Sequence, residues 1–148
     1  MRFDQLVRGM ALRAGPRLIT EDEIIEFARR YDPQPFHIDR GRASTSRWGG
    51  LIASGWMTCC VAMDLAVRHI LDGSESVGSP GLEELSWENP VRPGHELTLT
   101  VTVLESKVSG SGRTGIVRWR WELHNQHAQR VLGLVATNLF DISGAAAG

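Results

Sequence analysis

Residues 53–71 place the tightest constraint on what this chain can fold into. Trp56, Cys60, Met63, Val67 and Ile70 recur at spacings of four and three, with Cys59, Ala62 and Ala66 at neighbouring positions. Asp64 and Arg68 are the rare polar interruptions, set four residues apart as a pair on one helix face. This spacing predicts a helix that is apolar nearly all round and therefore mostly buried. The run falls short of the ~20 apolar residues that span a bilayer, so protein must supply the burial. Asp72-Gly73 stops it.

The chain after this helix supplies what would cover it. Residues 96–104 alternate strictly, with Leu97, Leu99, Val101 and Val103 between Thr98, Thr100 and Thr102, as a half-buried strand does. Thr114–His124 alternates again, Val117, Trp119 and Trp121 against Arg118 and Arg120. Gly110-Ser111-Gly112 turns the chain between the two, and Asn125-Gln126 turns it towards a return strand over 131–140. A further strand over 81–87 runs into the bend 88–94. Ahead of the central helix, 10–13 reads as a short strand broken by Gly15-Pro16. Thr20 with Glu23 then forms a capping box that opens a helix ending at Tyr31. One helical block followed by an antiparallel meander predicts an α+β fold, an antiparallel sheet around a long central helix.

At 148 residues the length suits one domain over 1–148, with a small, featureless tail over 143–148 expected to fray. A net charge of −1 argues against a nucleic-acid partner. The N-terminal residues lack the apolar core of a signal peptide, and the two cysteines, Cys59 and Cys60, are adjacent. Both points predict a cytoplasmic protein with no membrane segment. His69, His95, His124 and His127 show no metal spacing, so no metal is expected.

The chemistry is concentrated between the first helix and the central one. Asp32 and His37 stand five residues apart with Pro33 and Pro35 between them. Each proline fixes its own φ and biases the residue before it out of the α region, which predicts a stiff, extended or turning loop with no regular helix. A stiff loop can hold two titratable groups in the fixed relation that acid–base catalysis requires. Asp39 reads as a cap. Gly55, near the start of the central helix, leaves its backbone open to close approach.

Asp32-Pro33-Gln34-Pro35-Phe36-His37-Ile38-Asp39, followed by Gly50-Leu51-Ile52-Ala53-Ser54-Gly55, resembles the MaoC-like dehydratases. These include the (R)-specific enoyl-CoA hydratases, whose motif reads Asp-x-Asn-Pro-x-His. The resemblance implies a hot-dog fold, assembled as a homodimer or a larger homo-oligomer. It also implies reversible hydration of a trans-2-enoyl-CoA to a (3R)-hydroxyacyl-CoA. Coenzyme A would enter as part of the substrate, with no separate cofactor. Asp32 and His37 would be the catalytic dyad, and the Gly55 amide the oxyanion hole. Gln34, Ser54, Trp48 and Trp56 make up the substrate-binding set, the two tryptophans flanking the glycine stretch. Gln34 stands where that motif has Asn, and Met63 stands where some (R)-hydratases carry a helix serine. Two rival readings follow. A hot-dog thioesterase would use Asp64 on the central helix, and an acyl-CoA binding module would turn nothing over.

Overall fold

The computed structural model describes residues 1–144, so most of the tail expected to fray, 145–148, lies outside the described residues. A five-stranded antiparallel sheet has the order β1-β3-β4-β5-β2. Its strands are β1 (Ala11–Leu18), β2 (Ser76–Ser86), β3 (Glu96–Val108), β4 (Thr114–His124) and β5 (Arg130–Asp141). The helices α1 (Glu21–Tyr31), α2 (Pro35–Ile38), α3 (Arg40–Ser44) and α4 (Gly55–Ala66) all lie between β1 and β2 in the sequence.

The three central strands hold the core. Leu97, Leu99, Val101 and Val103 of β3 and Val117, Trp119, Trp121 and Leu123 of β4 are buried, while the residues between them are partly exposed. α4 lays Met57, Val61, Ala62 and Leu65 into the same apolar cluster. Each side chain of this size stabilises the fold by about 1.5–3 kcal/mol when fully buried. Trp119 keeps its indole in the core because its N–H donates to Asn138 Oδ1 at 2.9 Å.

α4 departs from the sequence reading in one respect. It is not buried all round, since Trp56, Cys60 and Met63 face outwards and Trp56 is 60% exposed. The inward stripe is Met57, Val61 and Leu65. Both stripes are apolar, so periodicity alone could not say which one meets the sheet. The helix begins at Gly55 rather than 53, and beyond Ala66 the chain continues as a π turn, Val67–Leu71, before Asp72 and Gly73 (φ +68°) end it.

The two edge strands are longer than expected. β1 continues through Gly15-Pro16 because a register shift between Ala14 and Arg17 absorbs the proline. A residue without an N–H is tolerated on an edge, where no outer neighbour needs the donor. β2 starts at Ser76, well before 81, and pairs with β5 across three register shifts. Its Ser-, Gly- and Pro-rich start carries no alternation, and pairing alone makes it a strand. β3 likewise extends past 104 to Val108.

Candidate active site

Tertiary hydrogen bonds lock the loop between α1 and α4. The Thr20–Glu23 capping box starts α1, and Asp32 is its C-cap, its N–H donating to Ala28 O at 2.8 Å. Gln34 is extended, as a residue before proline should be, and Pro35 occupies the first position of the one-turn helix α2. The prolines therefore begin a helical turn here rather than exclude one, because a first-turn residue needs no N–H. Asp39 caps α3 through Oδ1, which accepts from the Arg42 N–H at 2.9 Å.

That turn brings His37 back towards Asp32. The imidazole is 4% exposed, and its Nε2 lies 3.2 Å from Asp32 Oδ2. On the other side Nδ1 donates to the carbonyl of Ile52 at 2.6 Å, while Ile52 N–H donates to Phe36 O. The Phe36 ring packs edge-on against the imidazole, 4.4 Å between centroids. Both ring nitrogens face acceptors, so His37 donates to both only when doubly protonated. When singly protonated it has one nitrogen free to take a proton.

Asp32 is tuned by opposing causes. Burial pushes its carboxyl up, but the hydrogen bond from Gln34, with Ser54 and His37 nearby, holds it below its ordinary range. Gln34 Nε2 donates to Oδ1 at 2.8 Å, so the Gln in place of Asn still supplies an amide donor. The Ser54 hydroxyl is buried and has no hydrogen-bond partner among the described residues.

A cavity of about 330 Å³ opens beside the pair, lined by Asp32, Gln34, His37, Trp48, Gly55 and Trp56 together with Thr58, Trp87, Glu88 and Val131. This lies in the size range of small-molecule sites. Ser54, expected among the substrate contacts, is fully buried and does not border the cavity. Met63 borders a separate apolar groove with Cys59, Leu82 and Leu134. Asp64 lines a third hollow between α1 and α4, bound to Arg68 at 2.6 Å and near Arg17 at 3.8 Å.

Sequence reasoning missed Trp87. Its Nε1 donates to Gly55 O at 2.9 Å, and its ring stands edge-to-face with Trp56 at 5.4 Å. A Cβ on Gly55 would sit 2.7 Å from the Trp87 ring, so this indole is the reason position 55 has no side chain. Glu88 follows it, committed to Arg130 at 2.8 Å and to Ser86 Oγ at 2.7 Å. The one available signal was an aromatic residue at the head of the 88–94 bend.

Residues 5–120 match the model of the MaoC like domain. The chain belongs to the MaoC-like dehydratase family. This MaoC-like chain is 28% identical over 131 residues to the uncharacterized protein YdeM of Bacillus subtilis, covering 88% of this chain and 92% of YdeM. It superposes on a MaoC-like dehydratase from Rhodospirillum rubrum with a TM-score of 0.86 and 35% identity, covering 93% and 94% of the two chains. It also superposes on the R-hydratase PhaJ1 from Pseudomonas aeruginosa with a TM-score of 0.77 at 22% identity, covering 94% and 84%, a likeness of fold. The sheet and central helix are the hot-dog fold of these relatives, as the motif implied.

Proposed function

We propose that this MaoC-like protein hydrates a trans-2-enoyl thioester of coenzyme A to the (3R)-hydroxyacyl thioester, or runs the dehydration. The observation that carries the proposal is the 3.2 Å contact between Asp32 and His37 in the same cavity as the first turn of α4. The carboxylate accepts a proton from water as the oxygen attacks the β-carbon. Doubly protonated His37 gives a proton to the α-carbon. Transfer from Asp32 to His37 then restores both groups. Negative charge on the thioester oxygen meets the N–H groups of the first turn of α4 at Gly55, which no intrahelical carbonyl satisfies. Trp48 and Trp56 wall the acyl group, and Gln34 orients Asp32. The thioester itself activates the substrate, so the reaction needs no redox cofactor.

The apolar residues that α4, the π turn after it and β2 turn outwards, Met63, Val67, Val77 and Leu82, fit a second copy of the chain against the edge strand β2. The active form in this reading is therefore a homodimer. Two free cysteines in one helix suit the reducing cytoplasm.

Loss of crotonyl-CoA absorbance tests the reaction, with longer and branched enoyl thioesters in the same format and sedimentation for the dimer. Hydration that collapses in Asp32→Asn and His37→Ala, with folding intact, is the expected result. Free thiol released without hydration would replace this reading with a thioesterase. Tight thioester binding with no product would replace it with a binding module.

A further inference from the structure

The cavity beside Asp32 and His37 and the apolar groove at Met63 lie end to end, and three parts of the chain give the same order. On α4, Gly55, Trp56 and Thr58 line the cavity, and Cys59, Cys60 and Met63 line the groove. On β5, Val131 borders the cavity, and Leu134, about 10 Å further along the strand, borders the groove with Ala136. On β2, Leu82 borders the groove, and the cavity begins past the strand end at Trp87. The groove holds about 340 Å³. Its floor is made of neighbours in register, Leu82 beside Ala136 and Leu134 beside Trp121. Its open side carries Met63 and Leu82, part of the face given above to a second copy, so that dimer roofs it.

Trp87 stands at the junction. Its Nε1 donates to Gly55 O at 2.9 Å, the carbonyl that also accepts the Cys59 N–H in the helix. Its ring lies 2.7 Å from where a Gly55 Cβ would be. Gly55 and Cys59 are one turn apart on the same helix face, so an indole against the first reaches the second. On its other side the cavity wall turns polar. Glu88 is bound to Arg130 and Ser86, and Asn89 Nδ2 donates to Arg130 O at 2.8 Å. An apolar chain laid on those groups would strip them of water without replacing its hydrogen bonds. The apolar space for a chain therefore lies behind the indole.

We propose that Trp87 is a specificity-determining residue: its indole closes the cavity against the groove and limits the substrate to short-chain enoyl thioesters. The groove receives the apolar tail of a longer chain only when the ring is removed. This inference rests on the hydratase reading and names its substrate class, and one arm of its test does not depend on turnover.

The experiment measures kcat/KM for crotonyl-CoA and trans-2-octenoyl-CoA, and calorimetric Kd for the unreactive butyryl-CoA and lauroyl-CoA, in the wild type, Trp87→Ala and Trp87→Phe. The wild type and Trp87→Phe, which keeps a ring, prefer the shorter chain of each pair. In Trp87→Ala the octenoyl-to-crotonyl ratio of kcat/KM rises by at least roughly tenfold, since each methylene that enters an apolar site is worth about fourfold. Cys59→Phe in the Trp87→Ala background refills the junction from α4 and returns the ratio towards wild type, which general loosening of the fold would not do. Trp87→Leu replaces Trp87→Ala if that variant does not fold. A wild type that takes octenoyl and crotonyl groups alike overturns the proposal, and so does a ratio unmoved in Trp87→Ala or Trp87→Leu. If the wild type hydrates no enoyl thioester, the hydratase reading fails, and the lauroyl-to-butyryl ratio of Kd decides the role of Trp87 by the same criterion. Binding of neither thioester in any variant overturns it as well.

Discussion

Asp32 and Asp64 present the same functional group in two neighbourhoods. The Asp32 side chain is 17% exposed and meets an imidazole and an amide. The Asp64 side chain is 37% exposed and meets two guanidinium groups, Arg68 at 2.6 Å and Arg17 at 3.8 Å. An arginine stays protonated throughout the pH range of proteins, so a carboxylate bound to it has a fixed counter-charge and nothing to exchange. Imidazole titrates near neutrality, so a carboxylate bound to it has a partner that can pass a proton back. The two hollows these residues line are of similar size, about 330 and 370 Å³. Size therefore does not separate them, and the neighbours of the carboxylate do.

The same substitution at both positions breaks the comparison most directly. Asp32→Asn keeps the shape and removes the base, so kcat/KM for enoyl-CoA hydration falls by roughly 10²–10⁴-fold. Circular dichroism and the melting curve should show a folded protein. A variant that keeps wild-type turnover would remove Asp32 from the chemistry and leave the 3.2 Å contact as a structural one.

Gly55→Ala acts on the helix end that faces the dyad. The new Cβ meets the Trp87 ring at 2.7 Å, and overpacking of this kind costs about 1–3 kcal/mol of stability. Trp87→Leu in the same chain makes room, so the double variant melts higher than Gly55→Ala alone. Strict additivity of the two single changes in denaturant titrations would show that the indole is not what position 55 accommodates.

A smaller effect lies in the pH dependence. Folding holds the Asp32 carboxyl below its ordinary value, as hydrogen bonds and His37 outweigh burial. Because the folded pKa is the lower one, the ionised group stabilises the native state at pH above the unfolded value of about 3.9. That contribution is lost as pH falls through the folded value. Activity that depends on the carboxylate should persist to lower pH than an ordinary aspartate would allow. Urea midpoints measured between pH 6 and pH 3 should fall less steeply in Asp32→Asn than in the wild type. Equal slopes would mean that Asp32 titrates alike in the folded and unfolded chains.

Much of this comparison was legible in the sequence, and what was not had a physical cause. β4 was read with its observed bounds because Val117, Trp119 and Trp121 alternate with arginines on a half-buried strand. The Asp32–His37 contact was legible because Asp32, Pro35 and His37 lie within six residues, and local geometry carries one to the other. The Asp64–Arg68 pair was legible for the same reason, being one helical turn apart. Trp87 was not, since its bond to Gly55 joins residues 32 apart that only the sheet brings together. Nor was the outward face of α4, where Met57 and Trp56 are adjacent, both apolar, and oppositely placed. Ser54 reads as a substrate contact, and only the folded chain shows it fully buried and away from the cavity lining.

Asp64→Asn completes the set with the smallest expected change. Its pair with Arg68 is an exposed i, i+4 contact, and such pairs contribute about 0.3–0.5 kcal/mol. Loss of the carboxylate leaves Arg17 its contact with Glu23 at 2.8 Å, so no cation is stranded. Hydration should stay within about twofold of wild type, a difference of roughly 0.4 kcal/mol in barrier, and the melting temperature should move only slightly. A loss comparable to that of Asp32→Asn would put the working carboxylate on α4 and favour the thioesterase chemistry, which free-thiol release in the same assay would reveal. If instead only Asp32→Asn is inactive, the identity of the bound partner, arginine or histidine, is what distinguishes a structural carboxylate from a reactive one in this fold.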